Sequence, residues 1–320
     1  MGHDIDPEYL DKAGQILDFF RAHRYPVGDI EGRRSLMSLV LESVKQSTPE
    51  ITNVTRRIHY TTTPDGYKLA IHHHFLTGSE SNPVPSAGLV YIHGGGMIAS
   101  NAEECDALLK LMVQNYGVPI FTTDYRLAPE FQNPTPVEDC YAGLEWVSQH
   151  ANEFNVDPNR IGVQGDSGGG ALAAGIVLMA RDTALEPPVA KQILVAPMLD
   201  DRCSLRFDPE TESHFIWTPN DNVTAWKAVL GEQYRQGDVS EYAAPGRAKD
   251  LSGLPKTYLD VGTVDMFRDD VLNYATRLLK GGVEVELHVY PAVPHSFEAV
   301  QNYGQTTLAL ENRARAVKKL

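Results

Sequence analysis

The chain has 320 residues, 42% hydrophobic and 22% charged, enough to bury a large core in one big α/β domain or two smaller ones. A formal net charge of −14 argues against nucleic acid or an anionic membrane surface as a partner. No stretch approaches the roughly 18 apolar residues of a membrane helix, and Cys105, Cys140 and Cys203, without C-x-x-C spacing, argue against a disulfide framework or a zinc site.

In chain order, residues 6 to 46 carry two amphipathic helical patterns, "PEYLDKAGQILDFFRAH" and "GRRSLMSLVLESVKQ", so residues 1–50 read as an N-terminal helical cap segment. The acidic residues at the start do not suit a secretory signal, and a cytoplasmic setting is expected. Residues 51–320 read as the main domain. They open with two strands around an Asp65-Gly66 turn, a hairpin signal. The triplet His72-His73-His74 suggests a metal, but adjacent strand residues alternate faces, so only two could share a ligand set; a solvated hairpin is the favoured account. Strands and helices then alternate: "GLVYIHG", a helix near 102 to 115, "VPIFTTDY", a helix near 136 to 151, "RIGVQG", a helix from 168 and "KQILVAP". This alternation predicts parallel strands with crossover helices. Residues 200–250 break the rhythm and read as a cap insertion with a helix in "NDNVTAWKAVLGEQY". "PKTYLDVG", a helix in "RDDVLNYATRLLKGG", "VEVELHVYP" and a final amphipathic helix complete the pattern.

The strand-to-helix turn in "VQGDSGGGALAAG" holds the spacing G-x-S-x-G as Gly165-Asp166-Ser167-Gly168-Gly169. A serine at so sharp a turn projects its Oγ into a cleft, and glycine two positions before and after it avoids a clash between Cβ atoms. A phosphate-binding or merely tight turn has the same pattern, so the partners decide. Ligands of open α/β sheets bind outside the carboxyl ends of the strands. Two further loops at such ends carry reactive groups: Asp265, Asp269 and Asp270 after "KTYLDVG", and His295 after "VELHVYP". A serine nucleophile needs a base for its proton and a carboxylate that fixes the base's tautomer. Asp265 lies in the loop itself, whereas Asp269 and Asp270 fall at a helix start and suit its dipole, so Asp265 is preferred. His288, inside a strand, reads as structural. Earlier in the chain, His93-Gly94-Gly95-Gly96 ends an apolar strand. Consecutive glycines leave N–H groups free to meet an oxyanion, and the Gly168 amide supplies another donor.

These marks resemble the hormone-sensitive-lipase-like family of α/β-hydrolase carboxylesterases from about residue 50 to the end. "HGGG" at 93–96, "DYRLAPE" at 124–130, "GDSGGG" at 165–170 and thirty positions between Asp265 and His295 carry the resemblance. It implies an α/β-hydrolase fold, a mostly parallel sheet flanked by helices with a helical cap. It implies Ser167 as nucleophile, Asp265 as acid, His295 as base, and an oxyanion hole of Gly95, Gly96 and Gly168. His93 and the "DYRLAPE" stretch become supports, with Arg126 and Glu130 available for ion pairing. The expected partner is a small-molecule ester; no metal or other cofactor is expected, and the chain is expected as a monomer or homodimer.

The sequence departs from the family in three places. Gly168 stands where alanine is usual and is expected to loosen the turn; Met97 replaces a common aromatic; Ser296 follows His295 where glycine is usual. Met97, Asp166, Phe215 and Trp217 are expected to line the substrate pocket. With Phe19, Phe20 and Trp226, the aromatic residues of the two cap segments predict a closed lid and a preference for acyl chains of about four to six carbons. Two rival readings remain: a lactonase, amidase or product-releasing hydrolase, and a non-catalytic receptor of small molecules. An intact Ser167, Asp265 and His295 set disfavours the receptor.

Overall fold

The computed structural model describes residues 4–320, so the first three residues of the expected cap segment lie outside it. Eight strands form one sheet: β1 (Val54–Thr62), β2 (Lys68–Leu76), β3 (Ser86–Ile92), β4 (Ile120–Thr123), β5 (Val156–Asp166), β6 (Lys191–Val195), β7 (Lys256–Gly262) and β8 (Val285–Tyr290). Their spatial order is β1-β2-β4-β3-β5-β6-β7-β8. β1, β2 and β4 pair antiparallel, and every pairing from β4 to β8 is parallel. Crossover helices make this arrangement, because parallel neighbours need a connection that returns over a sheet face.

The helices are α1 (Pro7–Ala22), α2 (Ile30–Ser47), α3 (Asp106–Tyr116), α4 (Thr135–His150), α5 (Gly168–Asp182), α6 (Pro209–Glu212), α7 (Pro219–Leu230), α8 (Arg268–Lys280) and α9 (Gly304–Lys318). Along the central strands, alternate side chains feed two cores. Leu89 and Tyr91 of β3 pack with Leu109, Met112 and Val113 of α3 and Val317 of α9. Val90 and Ile92 pack on the other face with α4, α5 and α8. Both faces are therefore covered, which is why these strands read as nearly continuous apolar runs. Each fully buried valine or leucine adds about 1.5–3 kcal/mol of transfer free energy.

The histidine triplet is not a solvated hairpin. β2 is an inner strand between β1 and β4, and His72, His73 and His74 are all buried. His73 stacks on Phe121 at 4.2 Å between ring centroids, and burial depresses its pKa to about 3. His74, whose side chain alternates to the other face, places Nε2 3.0 Å from Asp106 Oδ1. Among the described residues no group of three His, Cys, Asp or Glu side chains could hold a metal, and no helix is long and apolar enough to cross a membrane.

The segments expected to form the cap meet each other and the loops at the strand ends. Asp6 caps α1 through the Glu8 amide, and its own amide bonds the Ala292 carbonyl at 2.8 Å. Tyr9 and Leu17 of α1 share a cluster with Phe215, Val293 and Phe297. A capping box of Thr218 and Asp221 starts α7. The same aspartate accepts from Arg33 of α2 at 2.8 Å, joining the two segments.

Candidate active site

Four loops at the carboxyl ends of β3, β5, β7 and β8 converge. β5 ends at Asp166, and Ser167 turns the chain into α5 with φ 56° and ψ −118°, a conformation that costs about 1–3 kcal/mol and must be held by its surroundings. β6 holds it: the Ser167 amide donates to the Val195 carbonyl at 2.9 Å, and the Ser167 carbonyl accepts from Met198 at 2.9 Å. A Cβ on Gly165 would lie 2.1 Å from the Gly169 carbonyl oxygen; one on Gly169 would lie 2.2 Å from that of Ile92. The two glycines are thus required by packing of backbone on backbone.

Asp265 and His295 are brought together by ties between their loops. Thr263 donates to the Tyr290 carbonyl at 2.8 Å, Val264 to the Val293 carbonyl at 3.1 Å, and Ala292 to Thr263 Oγ1 at 2.7 Å. The result is a relay of hydrogen bonds. His295 Nδ1 lies 2.7 Å from Asp265 Oδ2, and His295 Nε2 lies 3.0 Å from Ser167 Oγ. Asp265 Oδ1 accepts from the Phe267 amide at 2.8 Å, fixing the carboxylate from behind. Asp265 and His295 are both buried. Burial opposes the imidazolium, but the Asp265 charge and hydrogen bond, joined by Glu298 and Asp166, outweigh it and raise the His295 pKa above 6.5.

The glycine loop after β3 lies against this turn. A Cβ on Gly94 would come 3.0 Å from the Asp166 carbonyl oxygen, and one on Gly168 would come 2.7 Å from Gly96 Cα. The space of an alanine methyl at 168 is therefore filled by the Gly96 backbone, and Gly168 lets the glycine loop close onto the turn. Gly168 begins α5, where leading amides have no intrahelical acceptor. The amides of Gly95 and Gly96 donate to no backbone carbonyl among the described residues. His93 donates from Nδ1 to the Gly94 carbonyl at 2.9 Å and stacks on Tyr125. Arg126 forks onto Asp139 and Asp65, and Glu130 pairs with Arg34 at 2.6 Å.

The four expected pocket residues separate. Trp217 stands against the glycine loop: a Cβ on Gly96 would meet its Cη2 at 2.4 Å. Phe215 is instead buried in the cluster with Tyr9 and Phe297, against Phe207. Met97 is fully buried in the main core. The Asp166 carboxylate accepts from the Tyr91 hydroxyl at 2.8 Å, and burial pushes its pKa up to about 6 against the pull of Arg313. Ser296 takes the left-handed region at φ 59°, a conformation glycine adopts without strain. Asp270 does not sit as a simple dipole partner: burial, with the charge of Asp200, pushes its carboxyl up to about 7. Asp269, in the same first turn, pairs with Arg268 at 2.8 Å.

Sequence reasoning missed a buried charge that pairs with Glu298, one of the groups that raise the His295 pKa. Arg313 of α9 is buried and forks onto Asp260 at 2.7 and 3.1 Å, with a third bond to Glu298 at 3.1 Å. It missed Arg34 of α2 as well, whose side chain bonds the carbonyl of Ile98. Charges on amphipathic helices read as solvated faces, and nothing local marks these as exceptions.

A family model described as the alpha/beta hydrolase fold matches residues 89–299. The chain is 32% identical to Esterase LipI of Mycobacterium tuberculosis over 215 residues, 65% of this chain, and spans 65% of the length of that relative. It is 27% identical over 248 residues to Ethyl acetate hydrolase of Pseudomonas putida, covering 74% of this chain and 73% of that one. Among solved structures, a bacterial heroin esterase aligns with a TM-score of 0.84 at 34% identity, over 99% of this chain and 98% of that one.

Proposed function

The chain belongs to the α/β-hydrolase family, and on that premise we propose that it is a serine carboxylesterase working through an acyl-enzyme. The observation that carries the reading is the relay from Ser167 Oγ through His295 to Asp265, at 3.0 and 2.7 Å. In this reading Ser167 Oγ attacks the ester carbonyl carbon while its proton passes to His295 Nε2. Asp265 remains ionised and stabilises the imidazolium. The carbonyl oxygen becomes an oxyanion received by the amides of Gly95, Gly96 and Gly168. Collapse of this intermediate breaks the bond to the alcohol, which leaves with the proton from His295. Water, deprotonated by His295, then attacks the acyl-serine and releases the acid.

The helical segments on either side, residues 4–50 and 200–250, act as a cap over the strand ends. Trp217 beside Gly96 limits the acyl pocket, which favours short chains, and the similarity to a relative named for ethyl acetate points the same way. The test is a series of p-nitrophenyl esters from acetate to laurate. kcat/KM is expected to peak at about four to six acyl carbons, since each added CH₂ gains about 0.8 kcal/mol only until the pocket is full. Faster hydrolysis of emulsified long-chain esters than of soluble short ones contradicts the proposal.

A further inference from the structure

The segment from Gly95 to Ser100 is bent sharply: φ is positive at Gly95 (104°), Gly96 (62°), Met97 (63°) and Ser100 (74°). Its own bonds close around one atom, the Gly95 carbonyl oxygen, which accepts from both Ile98 and Ala99 at 3.1 Å. Outside the segment, the Met97 carbonyl accepts from the Ala128 amide at 3.0 Å. Arg34 spans that same junction from α2. Its Nε donates to the Ile98 carbonyl at 2.8 Å and its Nη2 to the Ala128 carbonyl at 3.0 Å. Glu130 holds the far edge of the guanidinium at 2.8 and 2.6 Å. One planar fork thus grips two loops that already share a hydrogen bond, a geometry that a lysine ammonium does not reproduce.

We infer that Arg34 is a positioning residue for the oxyanion hole: by holding the Ile98 and Ala128 carbonyls, the N-terminal segment keeps the Gly95 and Gly96 amides aimed beside Ser167. The inference rests on the reading of those amides as the hole. It has a distinctive consequence. Donors that serve only the transition state alter kcat and leave KM unchanged, whereas a strut that merely stabilises the fold alters melting temperature without this split. Glu130 pairs with Arg34 and makes no hydrogen bond to residues 94–100 among the described residues, so its removal leaves both carbonyl bonds of Arg34 in place.

The experiment compares the wild type with Arg34→Met, Arg34→Lys and Glu130→Gln. It measures kcat and KM on p-nitrophenyl butyrate, inhibition by a trifluoromethyl ketone that adds to the serine as an oxyanion, and melting temperature. Arg34→Met is expected to lower kcat about tenfold, with KM within about twofold and the ketone weakened by the same factor as kcat. Arg34→Lys, which keeps the charge and the fold, is expected to lose about threefold in kcat. Glu130→Gln, which loosens the guanidinium but leaves both of its carbonyl bonds in place, is expected to lose less in kcat than Arg34→Met. Wild-type kcat in Arg34→Lys and Arg34→Met, or a kcat loss in Arg34→Met that the ketone does not share, overturns the inference while the esterase reading stands. Absence of ester turnover in the wild type overturns the reading beneath it.

Discussion

Replacing Gly168 by alanine tests the contact between the nucleophile turn and the glycine loop. The new Cβ would sit 2.7 Å from Gly96 Cα, 2.9 Å from its nitrogen and 3.0 Å from its carbonyl carbon. All three are backbone atoms, so no side chain can swing aside. Relief to 3.4 Å, where ordinary van der Waals contact begins, moves the Gly96 backbone by about 0.7 Å. Loss of a whole oxyanion donor costs about 2.7–4 kcal/mol. A donor displaced by a fraction of its hydrogen-bond length should forfeit about half of that, or about ten- to thirtyfold in kcat. Stability should fall as well, because forcing a backbone shift in a packed interior costs about 1–3 kcal/mol, more than the about 0.5–1 kcal/mol by which alanine is favoured over glycine in a helix. The assay is kcat and KM on p-nitrophenyl butyrate beside thermal unfolding. A Gly168→Ala enzyme within threefold of the wild type in kcat refutes the reasoning, since the loop would then retreat at no catalytic cost.

Other outcomes follow from the site's charges and walls. Because the His295 pKa is raised and the ring must be neutral to take a proton, kcat/KM should rise with pH through one ionisation above 6.5 and then level. Glu298→Gln removes one of the raising charges and should move that midpoint down; an unmoved midpoint shows that Glu298 does not act on the base. Asp265→Asn should cost orders of magnitude in kcat, measured at saturating ester, by removing control of the imidazole tautomer. Asp270→Asn should leave kcat within about twofold, the ordinary effect of a change outside the reacting groups. With its carboxyl raised from 3.8 to about 7, native Asp270 binds the extra proton over that interval, so its contribution to stability falls as pH rises through it. Asp270→Asn should therefore gain in melting temperature relative to the wild type more at pH 8 than at pH 5. Trp217→Ala should shift the best acyl chain in the ester series to greater length, by opening the space against Gly96.

Features written in local patterns are legible in the sequence. Periodicity carries the order of strands and helices, and the glycine spacing around Ser167 reflects a turn that tolerates no Cβ. Asp265 is separable from Asp270 because one precedes a helix and the other lies inside its first turn. Features that depend on partners distant in the chain are not legible in this way. His72, His73 and His74 are buried because β2 lies inside the sheet beside β4 and because α3 and α4 pack on it, coverage that a hairpin alone does not have. Arg313 and Asp260 are 53 positions apart, and Arg34 and Ile98 are 64 apart. Gly168 reads as a weakened alanine in the sequence, whereas in the fold the Gly96 backbone occupies the methyl's place. Phe215 and Met97 carry the apolar character of pocket walls, but burial in the core uses that same character.

The central claim is that Ser167 is the nucleophile, activated by His295. The most direct measurement is intact-protein mass spectrometry after reaction with a serine-directed organophosphate, with peptide mapping and residual ester turnover read on the same samples. The account predicts one adduct per chain, located on Ser167, with turnover lost in proportion to labelling, and neither adduct nor turnover in a folded Ser167→Ala protein. An adduct at another serine, or a Ser167→Ala protein that hydrolyses p-nitrophenyl butyrate within a few-fold of the wild type, would contradict it.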